Sequence, residues 1–185
     1  MSSSEPLDIK NYIGLTGDTP IRFIASDVDG TLVNDAKSVD PEVVAAVRAA
    51  RESGIRVAIA SGRAWHEMDD VIDAMPCLRY FVCTNGAYVM DKEEQKELVH
   101  ISFDKTRAID LVRKLMTYGV FVEAYVKAEI FGQYPTGGNE TSQAEHFFRP
   151  NIRPFILKTR TMVPDLLAHL ESLPEGPEKI QIFYG

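Results

Sequence analysis

Ile21-Arg22-Phe23-Ile24-Ala25-Ser26-Asp27-Val28-Asp29-Gly30-Thr31 is the stretch whose reading decides the fold. A short apolar run stops at a polar, glycine-containing turn. An apolar run without strict alternation fits a strand covered on both faces better than a half-exposed one. Downstream, Asp40 and Pro41 supply an N-cap and a proline at the first helical position. Val43, Val44, Val47 and Ala50 recur at helical spacing, and Gly54 stands where the helix should stop. Ile55 to Ala60 reads as a second strand ending at Ser61-Gly62-Arg63. Trp65, Met68, Val71, Ile72 and Met75 predict a helix through about residue 74. Tyr80 to Cys83 reads as a third strand ending at Thr84-Asn85-Gly86.

Strands alternating with helices call for a parallel sheet with right-handed crossovers. Such sheets bind ligands beyond the carboxyl ends of their strands. All three polar turns sit at those ends, so Asp27 and Asp29, Ser61 and Arg63, and Asn85 are expected along one edge.

After residue 87 the pattern changes. Tyr88 to Met90 reads as a short strand and Lys105 to Tyr118 as a helix ended by Gly119. Val120 to Val126 and Ile130 to Tyr134 read as a hairpin, and Gly137-Gly138 as a loop. Ser142 to Phe148 reads as a short helix, Phe155 to Leu157 as a strand, Pro164 to Leu173 as a helix and Ile180 to Tyr184 as a final strand. A hairpin among helices suggests an α+β module. The reading therefore divides the chain into a polar leader over 1–17, an α/β core over 18–87 and a second α+β module over 88–185.

Composition bounds the partners. The chain has 185 residues, is 45% hydrophobic and carries a formal net charge of −7. An acidic balance argues against a nucleic acid or an anionic membrane as main partner, while a locally positive pocket can still hold a small anion. No apolar run approaches the roughly 20 residues of a membrane-spanning helix. Cys77 and Cys83 lack metal-ligand spacing, which suggests reduced thiols and a cytoplasmic protein. His66, His100, His146 and His169 are scattered, and the stretch from Asp91 to Glu94 reads as a solvated turn.

Two aspartates flanking one residue at a strand end suit phosphoryl chemistry. A carboxylate such as that of Asp27 can attack phosphorus and form an aspartyl-phosphate. Asp29, beside it once the chain turns, can protonate the leaving oxygen and later activate water. Mg²⁺ bound through Asp27 and the Asp29 carbonyl would neutralise the phosphate charge. Gly30 permits the sharp turn, and consecutive N–H groups at Gly30 and Thr31 can form an anion-binding concavity. Ser61 can hydrogen-bond a phosphoryl oxygen, and the Gly62 and Arg63 amides read as the opening of a helix whose N-terminus attracts anions. Each piece has a plainer reading: Asp-x-Asp-Gly as a turn, Ser61 as a helix cap, Asn85-Gly86 as a turn dipeptide.

Taken together, Asp27-Val-Asp-Gly-Thr-Leu-Val33, Ala60-Ser-Gly-Arg63 and Thr84-Asn-Gly-Ala87 resemble the haloacid dehalogenase superfamily, and within it the Cof-type branch (subfamily IIB). The resemblance implies a Rossmann-like parallel-sheet core, present here in its N-terminal part only, with an inserted α+β cap. It implies a Mg²⁺-dependent phosphatase acting on small phosphorylated metabolites, with sugar phosphates as the expected substrates and Asn85 and Gly86 on the substrate side. The family also carries a lysine that steadies the aspartyl-phosphate and an acidic loop that completes the metal site, both after the cap. Lys158 and Lys179 sit in or beside cap-like strands and are not assigned the lysine's role, and the only Gly-Asp pair, Gly17-Asp18, precedes the first strand. The chain thus reads as C-terminally truncated. The alternatives are a phosphotransferase or mutase of the same superfamily, or a catalytically silent fragment or binding module.

Overall fold

The computed structural model describes residues 20–34, 38–127, 129–135 and 140–185. The expected leader over 1–17 and the Gly137-Gly138 loop lie outside them. β1 (Phe23–Ser26), β2 (Arg56–Ala60) and β3 (Tyr80–Cys83) pair in parallel and in that order. The connection from β1 to β2 is α1 (Pro41–Glu52), which begins at the proline that sequence reading marked. Asp40 does not cap it through its side chain; the Asp40 carboxylate instead accepts a 3.0 Å bond from the Asn34 amide. From β2 to β3 the chain passes through a 3₁₀ turn at Trp65–Met68 and then α2 (Asp69–Ala74). This is two short pieces where one helix was expected. Val28, Ile59, Met68, Val71, Met75, Leu78 and Phe81 form the core beneath this sheet.

At residues 84–87 the strand direction reverses. β4 (Tyr88–Asp91) pairs antiparallel with β3, and β5 (Lys96–His100) antiparallel with β4. The first sheet thus runs β1-β2-β3-β4-β5, with Phe23 and Ile24 exposed on β1. Sequence reading missed β5, because Lys-Glu-Leu-Val-His has no clean two-residue period and the strand is mostly exposed.

The second unit begins with α3 (Lys105–Met116), capped by the Asp104 carboxylate on the Arg107 amide. β6 (Phe121–Val126) and β7 (Glu129–Gln133) form the expected hairpin. Then come α4 (Glu140–Phe147), α5 (Arg153–Thr159), β8 (Thr161–Met162), α6 (Leu166–Ser172) and β9 (Lys179–Phe183). The sheet order is β8-β7-β6-β9. The segment Phe155 to Leu157, expected as a strand, lies inside α5. Pro154 starts that helix, and the Ile156 and Arg160 amides bond back to the Ile152 and Ile156 carbonyls at 3.0 and 3.1 Å. Three apolar residues in a row do not distinguish the two states.

β6 is buried along its whole length, and its residues alternate between two environments. Val122, Ala124 and Val126 pack with Ile109 and Val112 of α3 and Leu166 and Leu170 of α6. Phe121 packs with Phe147, Phe148 and Ile156, and Tyr125 with Ala64 of the first unit. Between them, on the same face, lies Glu123. The face of β6 turned to the β2–α2 connection therefore carries a carboxylate, which needs partners there.

Candidate active site

The β1 loop is built around one buried residue. Val28 is fully buried, and its carbonyl accepts amides from Thr31, Leu32 and Val33 at 3.3, 3.0 and 2.9 Å. Gly30 turns the chain with φ of 78°, a left-handed value that favours glycine. With Val28 directed into the core, Asp27 and Asp29 on either side of it are left exposed.

The β2 loop lies beside it. Ser26 is in register with Ile59, and Ala60 with Val82, so the ends of β1, β2 and β3 are neighbours. The loops are then tied together. The Ser61 amide donates to the Val82 carbonyl at 2.9 Å, the Asn85 amide to the Ser61 carbonyl at 3.1 Å, and the Thr84 amide to the Arg63 carbonyl at 2.8 Å. Thr84, Asn85 and Gly86 all have positive φ, at 50°, 57° and 97°. Such values are strained for a β-branched residue, and Thr84 is buried with its hydroxyl unpartnered among the described residues. A Cβ on Gly62 would come within 3.2 Å of the Asn85 Oδ1, so the side chain of Asn85 lies directly over that glycine.

Arg63 is the residue that joins the β2 loop to the β1 loop. Its Nε and one terminal nitrogen donate to the two Asp29 oxygens at 2.9 and 2.8 Å, a parallel two-bond fork. The other terminal nitrogen reaches the Glu67 carbonyl at 3.0 Å and Asp70 at 3.2 Å. Burial opposes its charge, but the bonds and charges of Asp29 and Asp70 outweigh this and hold the guanidinium above the usual arginine value. The Arg63 amide faces the Ser61 hydroxyl oxygen at 3.3 Å. The Gly62 and Arg63 amides do not open a helix as expected; the following 3₁₀ turn begins at Trp65. Asp27, Gly30 and Thr31 form no hydrogen bond to the β2 or β3 loops among the described residues.

The second unit contributes residues that sequence reading passed over. Arg160 is buried and donates to Glu123 at 3.0 and 3.2 Å, to the Tyr125 hydroxyl at 3.3 Å and to Glu67. The other Glu67 oxygen accepts the Ala64 amide at 2.7 Å. Lys179 donates to the Gly62 carbonyl at 3.2 Å, with its nitrogen 4.4 Å from the centre of the Tyr125 ring. Burial lowers the pKa of Lys179, and the nearby Glu67 and Glu123 carboxylates counter part of that. The Phe155 ring faces both Arg63 and Arg160, at 5.4 and 5.7 Å. Apart from the local Ala64–Glu67 bond, these hydrogen bonds have no local sequence signal, since each joins residues distant along the chain. A cleft of about 370 Å³ opens between the units, with Asp29 and Arg63 on one wall and Asn151, Phe155, Gln181 and Phe183 on the other. That volume falls in the range of small-molecule sites, about 300–1,000 Å³.

For a metal, the loop offers the Asp27 carboxylate and the Asp29 carbonyl. No group of three or more His, Cys, Asp or Glu side chains among the described residues could hold an ion. Mg²⁺ commonly takes one or two carboxylates and fills its shell with water and phosphate oxygens. The donor set fits that ion and does not fit a metal caged entirely by protein.

Parallel strands that deliver an aspartate pair, a serine–arginine loop and an asparagine to one edge, under a second α+β unit, define a mixed α/β class with its candidate site at the strand ends. The chain belongs to the haloacid dehalogenase-like hydrolase family, whose model matches residues 24–180. It is 30% identical over 125 residues to phosphatase YwpJ of Bacillus subtilis, covering 68% of this chain and 43% of that protein. It is 28% identical over 116 residues to pyridoxal phosphate phosphatase YbhA of Escherichia coli, covering 63% and 43%. The chain thus spans less than half the length of these relatives. Among solved structures it resembles a haloacid dehalogenase-like hydrolase from B. subtilis, with a TM-score of 0.65, 22% identity and coverage of 89% and 60% of the two chains. It also resembles the subclass IIB sugar phosphatase BT4131, with a TM-score of 0.64, 17% identity and coverage of 82% and 55%. At these identities the structural likeness speaks for the fold. Among the described residues no helix is long and apolar enough to cross a membrane.

Proposed function

We propose that the protein is a Mg²⁺-dependent phosphohydrolase that removes phosphate from a small metabolite, a sugar phosphate, through an aspartyl-phosphate on Asp27. The observation that carries this reading is the β1 loop: two exposed aspartates flank the buried Val28, and the second is gripped by an arginine from the next strand end. The Asp27 carboxylate attacks phosphorus as the bond to the ester oxygen breaks, and Asp29 gives that oxygen its proton. Asp29 then takes a proton from the water that attacks phosphorus, and the Asp27–phosphate bond breaks to release inorganic phosphate. Ser61, the amides of Gly30 and Thr31, and Asn85 hold the phosphoryl oxygens and the substrate. Mg²⁺, bound by Asp27 and the Asp29 carbonyl, supplies positive charge against the phosphate.

The amides of Asn151 and Gln181 in the cleft suit the hydroxyl groups of a sugar, which supports that substrate class. We read the first unit as catalytic core and the second as cap, meeting between His100 and Lys105 rather than at residue 87, since β4 and β5 extend the first sheet. The free thiols of Cys77 and Cys83 agree with a cytoplasmic location. The test is phosphate release from p-nitrophenyl phosphate and a panel of sugar phosphates by the full chain. Release should require Mg²⁺ and fall by at least about a thousand-fold in Asp27→Asn, as expected when a nucleophile is removed. Undiminished turnover by that variant would sink the reading.

A further inference from the structure

A cationic side chain of the second sheet reaches the Ser61–Arg63 loop. The Lys179 ammonium, from β9, donates to the Gly62 carbonyl across 117 residues of sequence. That carbonyl and the Arg63 N–H belong to one planar peptide and point to opposite sides of it. Holding the carbonyl therefore fixes where the N–H points. It points at the Ser61 hydroxyl oxygen, 3.3 Å away. A hydroxyl that accepts from an amide retains its own proton to donate elsewhere. An anionic phosphoryl oxygen needs a donor.

We propose that Lys179 is a positioning residue for phosphate binding: from the second unit it sets the plane of the Gly62–Arg63 peptide, and so presents the Ser61 hydroxyl as a donor to a phosphoryl oxygen. This rests on the reading of Ser61 as a phosphate ligand. The surroundings suit the task. The lysine is half-buried and its ammonium sits over the Tyr125 ring, while Glu67 and Glu123 offset part of what burial and Arg160 take from its charged form. The Asn85 side chain over Gly62 leaves little room for the peptide to rotate. A cap residue thereby conditions the core loop without touching substrate.

Two variants separate this role from a plain strut between the units. Lys179→Met keeps the stem over Tyr125 and removes the donor; Lys179→Arg keeps a donor. Amide hydrogen exchange at Arg63 and the affinity for inorganic phosphate with Mg²⁺ are measured in both and in Ser61→Ala. In Lys179→Met, Arg63 exchange should rise and phosphate affinity fall, each by about tenfold, the usual worth of a charge-assisted hydrogen bond. Exchange in β3 should stay unchanged, and Lys179→Arg should recover most of the affinity. The proposal is overturned if Lys179→Met leaves Arg63 exchange and phosphate affinity as in the wild type. It is equally overturned if a folded Lys179→Arg binds phosphate as weakly as Lys179→Met, or if neither variant folds. Unchanged phosphate affinity in Ser61→Ala would instead remove the underlying reading of Ser61, and Arg63 exchange would still report whether Lys179 holds the peptide.

Discussion

Asp29 has two demands on it. Under the proposed mechanism its carboxyl must carry a proton when the leaving oxygen departs, yet Arg63 grips both of its oxygens with a fork that favours the ionised form. The pair must loosen before the first step and can re-form when Asp29 acts as base. A planar fork matters here more than a positive charge. In Arg63→Lys the charge remains, but the two parallel bonds, the reach to Asp70 and the stacking on Phe155 are lost. Steady-state kinetics should show kcat/KM reduced by about tenfold or more, since an Arg-to-Lys change is not conservative at a bidentate, stacked site. Wild-type kinetics would show that the fork is incidental. Asp27, Asp29, Ser61, Arg63 and Asn85 were legible as candidates because each sits where a strand runs out into a polar turn. Their pairing was not. Asp29 and Arg63 are 34 residues apart, and nothing in either segment says which of the exposed carboxylates the arginine will choose.

At the scale of elements, the parallel part of the first sheet could be read because apolar runs, Pro41 and Gly54 agree with one another. Beyond β3 local and global signals part. β5 is a strand because β4 offers it an antiparallel partner. α5 is a helix because Pro154 starts it and its apolar residues lie over Phe121 and Arg63, although the triplet Phe-Ile-Leu alone would serve as a strand. The β4–β5 turn was read as solvated, yet the Asp91 at its start is buried. Arg79 bonds both Asp91 oxygens at 2.6 to 3.0 Å, and the Glu93 and Glu94 amides add two more bonds. The Arg79 bonds lead in holding this carboxyl below the ordinary aspartate value of 3.8, against the effect of burial. A carboxylate with a lowered folded-state pKa contributes stability above its unfolded value and loses it as pH falls through the folded one. Acid unfolding followed by circular dichroism should therefore show wild-type stability falling below about pH 4 more steeply than that of Asp91→Asn, which carries no titrating group there. Parallel curves for the two proteins would mean that Asp91 contributes nothing to the pH dependence.

For the whole molecule, the telling region is the seam between the two sheets. Arg160, Glu123, Glu67 and Tyr125 are buried together there, with Lys179 alongside. Charges taken out of water cost several kcal/mol each, and good geometry at best offsets this, so such a cluster is weak evidence for stability. What it does provide is register. Glu67 belongs to the turn that follows Arg63, Glu123 to β6, and Arg160 to the end of α5, so their bonds fix the second sheet over the β2 loop. Lys179 and Phe155 complete the same contact. The change of pattern after residue 87 was legible, and the strand direction reverses there; which residues meet across the seam was not, because every such contact is long-range. The central claim, that Asp27 takes the phosphoryl group, is best tested by mixing the full chain with a ³²P-labelled phosphate ester and Mg²⁺, quenching in acid within one turnover and mapping the label by peptide. Label is expected on the peptide containing Asp27, lost in Asp27→Asn and discharged by hydroxylamine as an acyl phosphate should be. Phosphate release with no label on protein, or label that persists in Asp27→Asn, would contradict it.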